Sequence, residues 1–192
     1  MIKERLHSLR ELMKKNNVDA YLILTDDFHG SEYVGDYFKC REYISGFTGS
    51  AGTLVVLKNE AGLFTDGRYF LQAEEQLKDT TITLYKMGEE GVPTVSEFIE
   101  EKLNDGETLG FDGRTVGYEF AKSLEEKLAA KNVSIKYELD LVDEVWTDRP
   151  ELSKEPVMFL GVEYAGKSRE DKIADIRKAM EEKKADYFVL TT

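Results

Sequence analysis

The sequence predicts a mixed α/β sheet covered by helices, and three observations carry that expectation. The run AYLILT (20–25) is apolar without polar alternation, the pattern of a strand buried on both faces. Two more apolar runs, 53–57 and 62–65, flank Asn59-Glu60-Ala61, which suits a tight antiparallel hairpin. Beyond the hairpin, helical and strand patterns alternate to residue 139, as in a sheet with helices over its faces.

In chain order, Ile2, Leu6, Leu9 and Met13 form the stripe of an amphipathic helix that Asn16-Asn17 end. Strand 20–25 follows, then a polar loop over 26–40. REYISGFTGSAGTLVVL reads as a short turn-rich piece entering strand 53–57. After strand 62–65 come a helix over 67–77 and a strand over 81–86. Thr94 and Glu97 have capping-box spacing for a helix over 94–103. TLGFD (108–112) is a strand, 117–130 a helix and VSIKYEL (133–139) a strand. TDRPELSKEP (147–156), with two prolines, reads as linker.

A shift of 167 residues lays LHSLRELMKKNNVDAYLILT over IADIRKAMEEKKADYFVLTT. Arg10 meets Arg177, Met13 meets Met180, Asp19 meets Asp186 and Thr25 meets Thr192. Polar and apolar identities in one register argue for an internal repeat. The expected organisation is therefore a domain over 1–146, a linker over 147–166 and the opening of a second, similar domain over 167–192. In that opening, Ser168 and Asp171 have helix-start spacing, and YFVLT (187–191) is the second strand.

The chain has 192 residues, 41% of them hydrophobic, enough for a core. A formal charge of −12 with no basic stripe argues against nucleic acid. No run nears the roughly 18 apolar residues that span a bilayer, so no membrane is expected. The N-terminus has no signal-peptide core, and the single cysteine, Cys40, excludes an intrachain disulfide. A soluble, cytoplasmic protein is expected.

Metal chemistry lacks a donor set: there are two histidines, His7 and His29, and no HExxH or clustered Cys/His spacing. His7 falls on the polar side of the first helix. Cys40 with His29 is the one conceivable Cys–His pair, and a structural cysteine explains it as well. Gly46, Gly49 and Gly52 lack the spacing and lysine of a phosphate loop and read as turn and packing glycines. Asp66-Gly67-Arg68 follows a strand, so Thr65 and Asp66 can cap the next helix. A second Asp-Gly-Arg at 112–114 also follows a strand, which favours turn chemistry; a working Arg68 would bind a carboxylate.

HGSEY (29–33), REYISGFTGSAGTLVV (41–56), FTDGRYFLQA (64–73) and LVDEVWTDRP (141–150) occur in this order. Together they resemble the N-terminal domain of the three-domain Xaa-Pro aminopeptidases of the creatinase/prolidase superfamily. The resemblance implies a three-layer α/β/α fold with a ribonuclease-H-like sheet. It implies an enzyme that releases an N-terminal residue preceding proline, from a peptide substrate whose second residue is proline. It places a divalent metal pair, commonly manganese, in a C-terminal domain, so no catalytic residue and no metal ligand transfers to this chain. The implied role here is to shape the active-site mouth and supply homodimer contacts. His29, Ser31, Glu32 and Tyr33 match a loop toward the cleft, and Asp66 and Arg68 match the turn beside it. Phe64 stands where the family usually shows tryptophan, and VGDYFKC before Arg41 is atypical. The alternative is a free-standing peptide or protein interaction module of the same fold without catalysis.

Overall fold

The computed structural model describes residues 1–190. Two units are distinguished, residues 1–153 and residues from 154 onward. The first holds a single six-stranded sheet in the order β4-β3-β2-β1-β5-β6. Its strands are β1 (Ala20–Ile23), β2 (Thr53–Leu57), β3 (Ala61–Thr65), β4 (Ile82–Lys86), β5 (Thr108–Phe111) and β6 (Ser134–Lys136). β2 runs antiparallel to both β1 and β3, and the remaining neighbours pair in parallel. The sheet is therefore mixed, as the hairpin and the later alternation foretold.

Every residue of β1 is buried. Tyr21 and Ile23 pack on one face with Leu6, Leu9 and Met13 of α1 (Ile2–Lys15). Ala20 and Leu22 pack on the other with Phe98 and Ile99 of α4 (Val95–Lys102) and Leu124 and Leu128 of α5 (Tyr118–Leu128). A strand between two helical layers needs apolar residues at every position, which is why AYLI shows no alternation. α1 ends at Asn16-Asn17, with Asn17 in the left-handed region at φ 52°. Thr94 and Glu97 make the expected reciprocal cap on α4.

Several expectations need correction. The turn-rich piece holds a helix, α2 (Cys40–Ser45), and the loop over 26–40 ends in a 3-10 turn at Asp36–Phe38. Six residues are under two helical turns, too few for periodicity to show. α6 (Leu141–Val145) also went unread; Asp140 caps it by accepting from the Asp143 N–H at 3.2 Å. α3 is Phe70–Gln76, three residues later than its expected start, because 66–69 form a turn closed by Tyr69 N donating to Asp66 O at 3.0 Å. Thr65 and Asp66 do not cap it: the Thr65 hydroxyl donates to Ala51 O at 2.7 Å, and the Asp66 carboxylate accepts within its own turn. β6 is shorter than 133–139, although an isolated bridge joins Asp112 to Glu138.

In the second unit, α7 (Val162–Ala165) lies within the segment read as linker. α8 (Arg169–Glu182) starts at Ser168, whose hydroxyl accepts from Asp171 N at 3.0 Å. Residues 187–190 of the expected strand are irregular, and Thr191 and Thr192, with the end of the repeat, lie outside the described residues. Strand geometry needs a partner ladder, and none is formed there among the described residues.

Candidate functional site

β1, β3, β5 and β6 point the same way, so the segments after them meet at one end of the sheet. That end carries residues 24–40, the turn 66–69, the turn 112–117 and residues 137–140, together with residues 46–52 entering β2. The carboxyl ends of parallel strands are where open α/β sheets bind ligands. His29, Ser31, Glu32, Tyr33, Asp66 and Arg68 all belong to this end.

The His29–Tyr33 loop is organised by a residue the sequence reading passed over. The Asp27 carboxylate accepts from His29 N at 2.7 Å, Ser31 N at 2.9 Å and His29 Nδ1 at 3.1 Å. These bonds, the Ser31 amide first, hold its acidity below the usual carboxylate range. Ser31 Oγ in turn accepts from Tyr33 N at 3.2 Å. The His29 imidazole and the Tyr33 ring, 87% exposed in both cases, project into solvent. Asp-x-x-Gly at 27–30 was the available signal, since aspartate commonly accepts from amides two or more residues ahead.

Asp66 and Arg68 form a closed pair. Arg68 donates from its backbone N at 3.0 Å and from Nε at 2.9 Å to one Asp66 oxygen, and from Nη2 at 2.9 Å to the other. The guanidinium remains largely exposed and faces the Tyr69 ring at 5.2 Å. The Asp66 bonds dominate the rise in its basicity, and Glu32 adds a smaller charge effect, so the two candidate segments sense each other. Tyr69 Oη lies 2.6 Å from Ser50 Oγ, linking this turn to the glycine-rich segment.

The second Asp-Gly-Arg repeats the geometry and adds to it. Arg114 pairs with Asp112 through N, Nε and Nη2, and also donates to Asp140 at 2.8 Å. Asp140 further accepts from Arg149 Nη1 at 2.8 Å. Arg149, its side chain 5% exposed, also reaches Asp143, Tyr37 O and Cys40 Sγ, and lies 3.7 Å over the Tyr37 ring. Phe28, Tyr37 and Phe38 pack edge to face, with Arg114 over Phe28. This network fastens residues 28–40 to the rest of the domain. Burial pushes the Cys40 thiol up to about 12, a structural thiol paired with arginine rather than with His29.

Glycine placement fits the turn reading. Gly46 ends α2 at φ 76°, and a Cβ on Gly49 would sit 2.2 Å from the Phe47 ring. Among the described residues, no three His, Cys, Asp or Glu side chains gather as metal ligands. The side chains present therefore do not fit a metal pair.

A sheet of this order, with its candidate residues at one end, defines an α/β domain. The chain belongs to the creatinase/prolidase N-terminal domain family, whose profile matches residues 5–145. A second profile, also described as a creatinase/prolidase N-terminal domain, matches residues 148–192. Among curated proteins, "Probable Xaa-Pro aminopeptidase P" of Talaromyces marneffei is 46% identical over 190 residues, 98% of this chain. The namesake from Laccaria bicolor is 44% identical over 192 residues. This chain spans 29% of the length of each. The crystal structure of X-prolyl aminopeptidase from Caenorhabditis elegans, described as a cytosolic enzyme with a di-nuclear active site, aligns with TM-score 0.86 at 35% identity. That alignment covers 97% of this chain and 32% of the other. The N-terminal domain of cytoplasmic peptidase PepQ from Mycobacterium tuberculosis aligns at TM-score 0.54 and 26% identity, over 74% of this chain and 98% of that domain. No helix among the described residues is long and apolar enough to cross a membrane.

Proposed function

We propose that this chain is the non-catalytic N-terminal part of a cytoplasmic, metal-dependent Xaa-Pro aminopeptidase. The observation that carries the reading is near-full-length similarity, 46% over 98% of the chain, to proteins of that name in which it occupies under a third of the length. The di-nuclear site of the Caenorhabditis elegans enzyme supports a divalent metal pair outside this chain, with manganese the expected ion. In this reading residues 167–192 open a second domain of similar design.

The carboxyl end of the sheet shapes substrate access. His29, Ser31, Glu32, Tyr33 and Arg68 stand toward a cleft that admits peptides with proline second, and Asp66 holds Arg68 in place. Contacts with a second copy of the protein complete the reading. Incubation of this chain with an Xaa-Pro tripeptide and manganese should give no turnover, while the longer protein containing it should release the N-terminal residue. Turnover by the chain alone that vanishes on substituting one of its residues would overturn the assignment.

A further inference from the structure

Arg41 is buried, 4% exposed, yet makes no ion pair among the described residues. Its guanidinium donates from Nε to Thr25 Oγ1 at 2.8 Å, from Nη1 to Phe47 O at 2.6 Å and from Nη2 to Gly49 O. All three acceptors are neutral. A guanidinium has five N–H donors, so two remain without a protein acceptor among the described residues. Burial lowers Arg41 to about 10, which leaves it cationic at neutral pH. Removing a charge from water without a counter-charge is costly. The main compensating charge is Glu42, which acts on it without a hydrogen bond and also lines the pocket that Arg41 lines.

Arg41 lines an open pocket of about 300 Å³ with Thr25, Thr48, Gly49, Ser50 and Tyr33. The Thr25 hydroxyl donates to Gly52 O at 2.8 Å, so the groups left to hold a small planar anion are the hydroxyls of Thr48 and Ser50 and the two spare guanidinium donors. Lys39, the other cation on the wall, is neutralised by Asp36 at 2.6 Å. Glu32, exposed at the rim, suits a cationic group. An inner cation and an outer carboxylate match the two ends of a short zwitterionic chain better than a simple anion.

We propose that this pocket binds the carboxylate of a short peptide through Arg41, with Glu32 facing the peptide's ammonium side. That the peptide is a substrate rests on the function proposed above; the binding itself does not. Amide NMR of the isotopically labelled chain tests it, with Ala-Pro-Ala as probe against its C-terminal amide. The free acid should shift Thr48, Gly49 and Ser50 saturably and bind at least about tenfold tighter than the amide. Arg41→Lys, which keeps the charge and loses the fork, should weaken acid binding several-fold while the spectrum stays folded. If that variant unfolds, Glu32→Gln decides: it should leave the preference of acid over N-acetylated acid smaller than in the parent. Equal shifts from acid and amide, no saturable shift at about 10 mM peptide, or unchanged binding by folded Arg41→Lys would each overturn the proposal. Binding of the acid by a chain whose longer form cleaves no Xaa-Pro peptide would retain the pocket and dismiss only its link to catalysis.

Discussion

Asp66-Gly67-Arg68 and Asp112-Gly113-Arg114 fold alike and end in different surroundings. In both, aspartate accepts from the arginine backbone and from two guanidinium nitrogens, at 2.8–3.1 Å. Only the second turn meets another carboxylate, Asp140, which Arg149 shares. The first stays at the surface, its arginine paired with the aspartate two residues before it and set beside the Tyr69 ring. Local sequence specifies the turn; elements distant in sequence specify whether it becomes a fastening or an accessible cation.

The largest effect should come from Arg149. Arg149→Ala strips Asp140, Asp143, Tyr37 O and Cys40 Sγ of one nearly buried partner, and should cost about 3–5 kcal/mol in chemical denaturation. The Cys40 thiol, raised first by burial, should resist a thiol reagent at pH 8 in the parent and label faster once loss of Arg149 opens it to solvent. Labelling as slow as the parent's, with unchanged stability, would remove the distinction between the two turns. Arg114→Ala should cost about 1 kcal/mol, since its side chain is half exposed and solvent screens the pair. Arg68→Ala should leave the melting temperature unchanged and, in the longer protein, raise KM for Xaa-Pro peptides. A destabilisation equal to that of Arg114→Ala would show both turns to be fastenings.

A pH titration gives the smallest effect, and a local one. Asp66 and Asp27 are both held below the usual carboxylate range, Asp66 first by Arg68 and Asp27 first by the Ser31 amide. A depressed carboxylate stabilises above its unfolded value and loses that contribution as pH falls through its folded value. The Arg68 and Ser31 amides should therefore keep their shifts through neutral pH and move together only below the ordinary aspartate range. Movement near neutrality would contradict both hydrogen-bond assignments.

The regular elements were legible where apolar period and length sufficed: α1, the all-buried β1 and the capped α4. α2 and α6 were not, being five or six residues long and defined by what they pack against. For the residues whose pattern suggested an internal repeat, the structure supplies the contacts of the first segment. Arg10 donates from Nε to Leu57 O at 2.9 Å, and Asp19 accepts from Thr108 N at 2.7 Å while pairing with Lys58. The first ties α1 to the end of β2, and the second ties the residue before β1 to the start of β5. The pattern predicted helix for α8, yet it could not predict burial: Leu6 and Leu9 are inaccessible, whereas Ile173 and Ile176 are 47% and 38% exposed. At the candidate site, the resemblance offered His29–Tyr33 and Arg68 as cleft candidates, while their place at one sheet end came from the topology. The part played by Asp27, Arg41 and Arg149 was not legible, because each acts through partners that only tertiary structure supplies.

The strand order has a consequence for how the chain acquires its structure in time. β1 meets β2 across residues 24–52 and β2 meets β3 through a tight turn, so α1 and the β1–β3 meander draw only on residues 2–65. The other side of β1 waits for β5: Ala20 pairs with Leu109, and the Tyr21 hydroxyl reaches Leu139 O and Leu141 N, 118 and 120 residues away. During synthesis from the N-terminus, one edge of β1 therefore emerges long before its mate. Closing so long a loop is slow relative to forming the meander. An early species with a bare, apolar central strand is the point at which this chain is most exposed to aggregation.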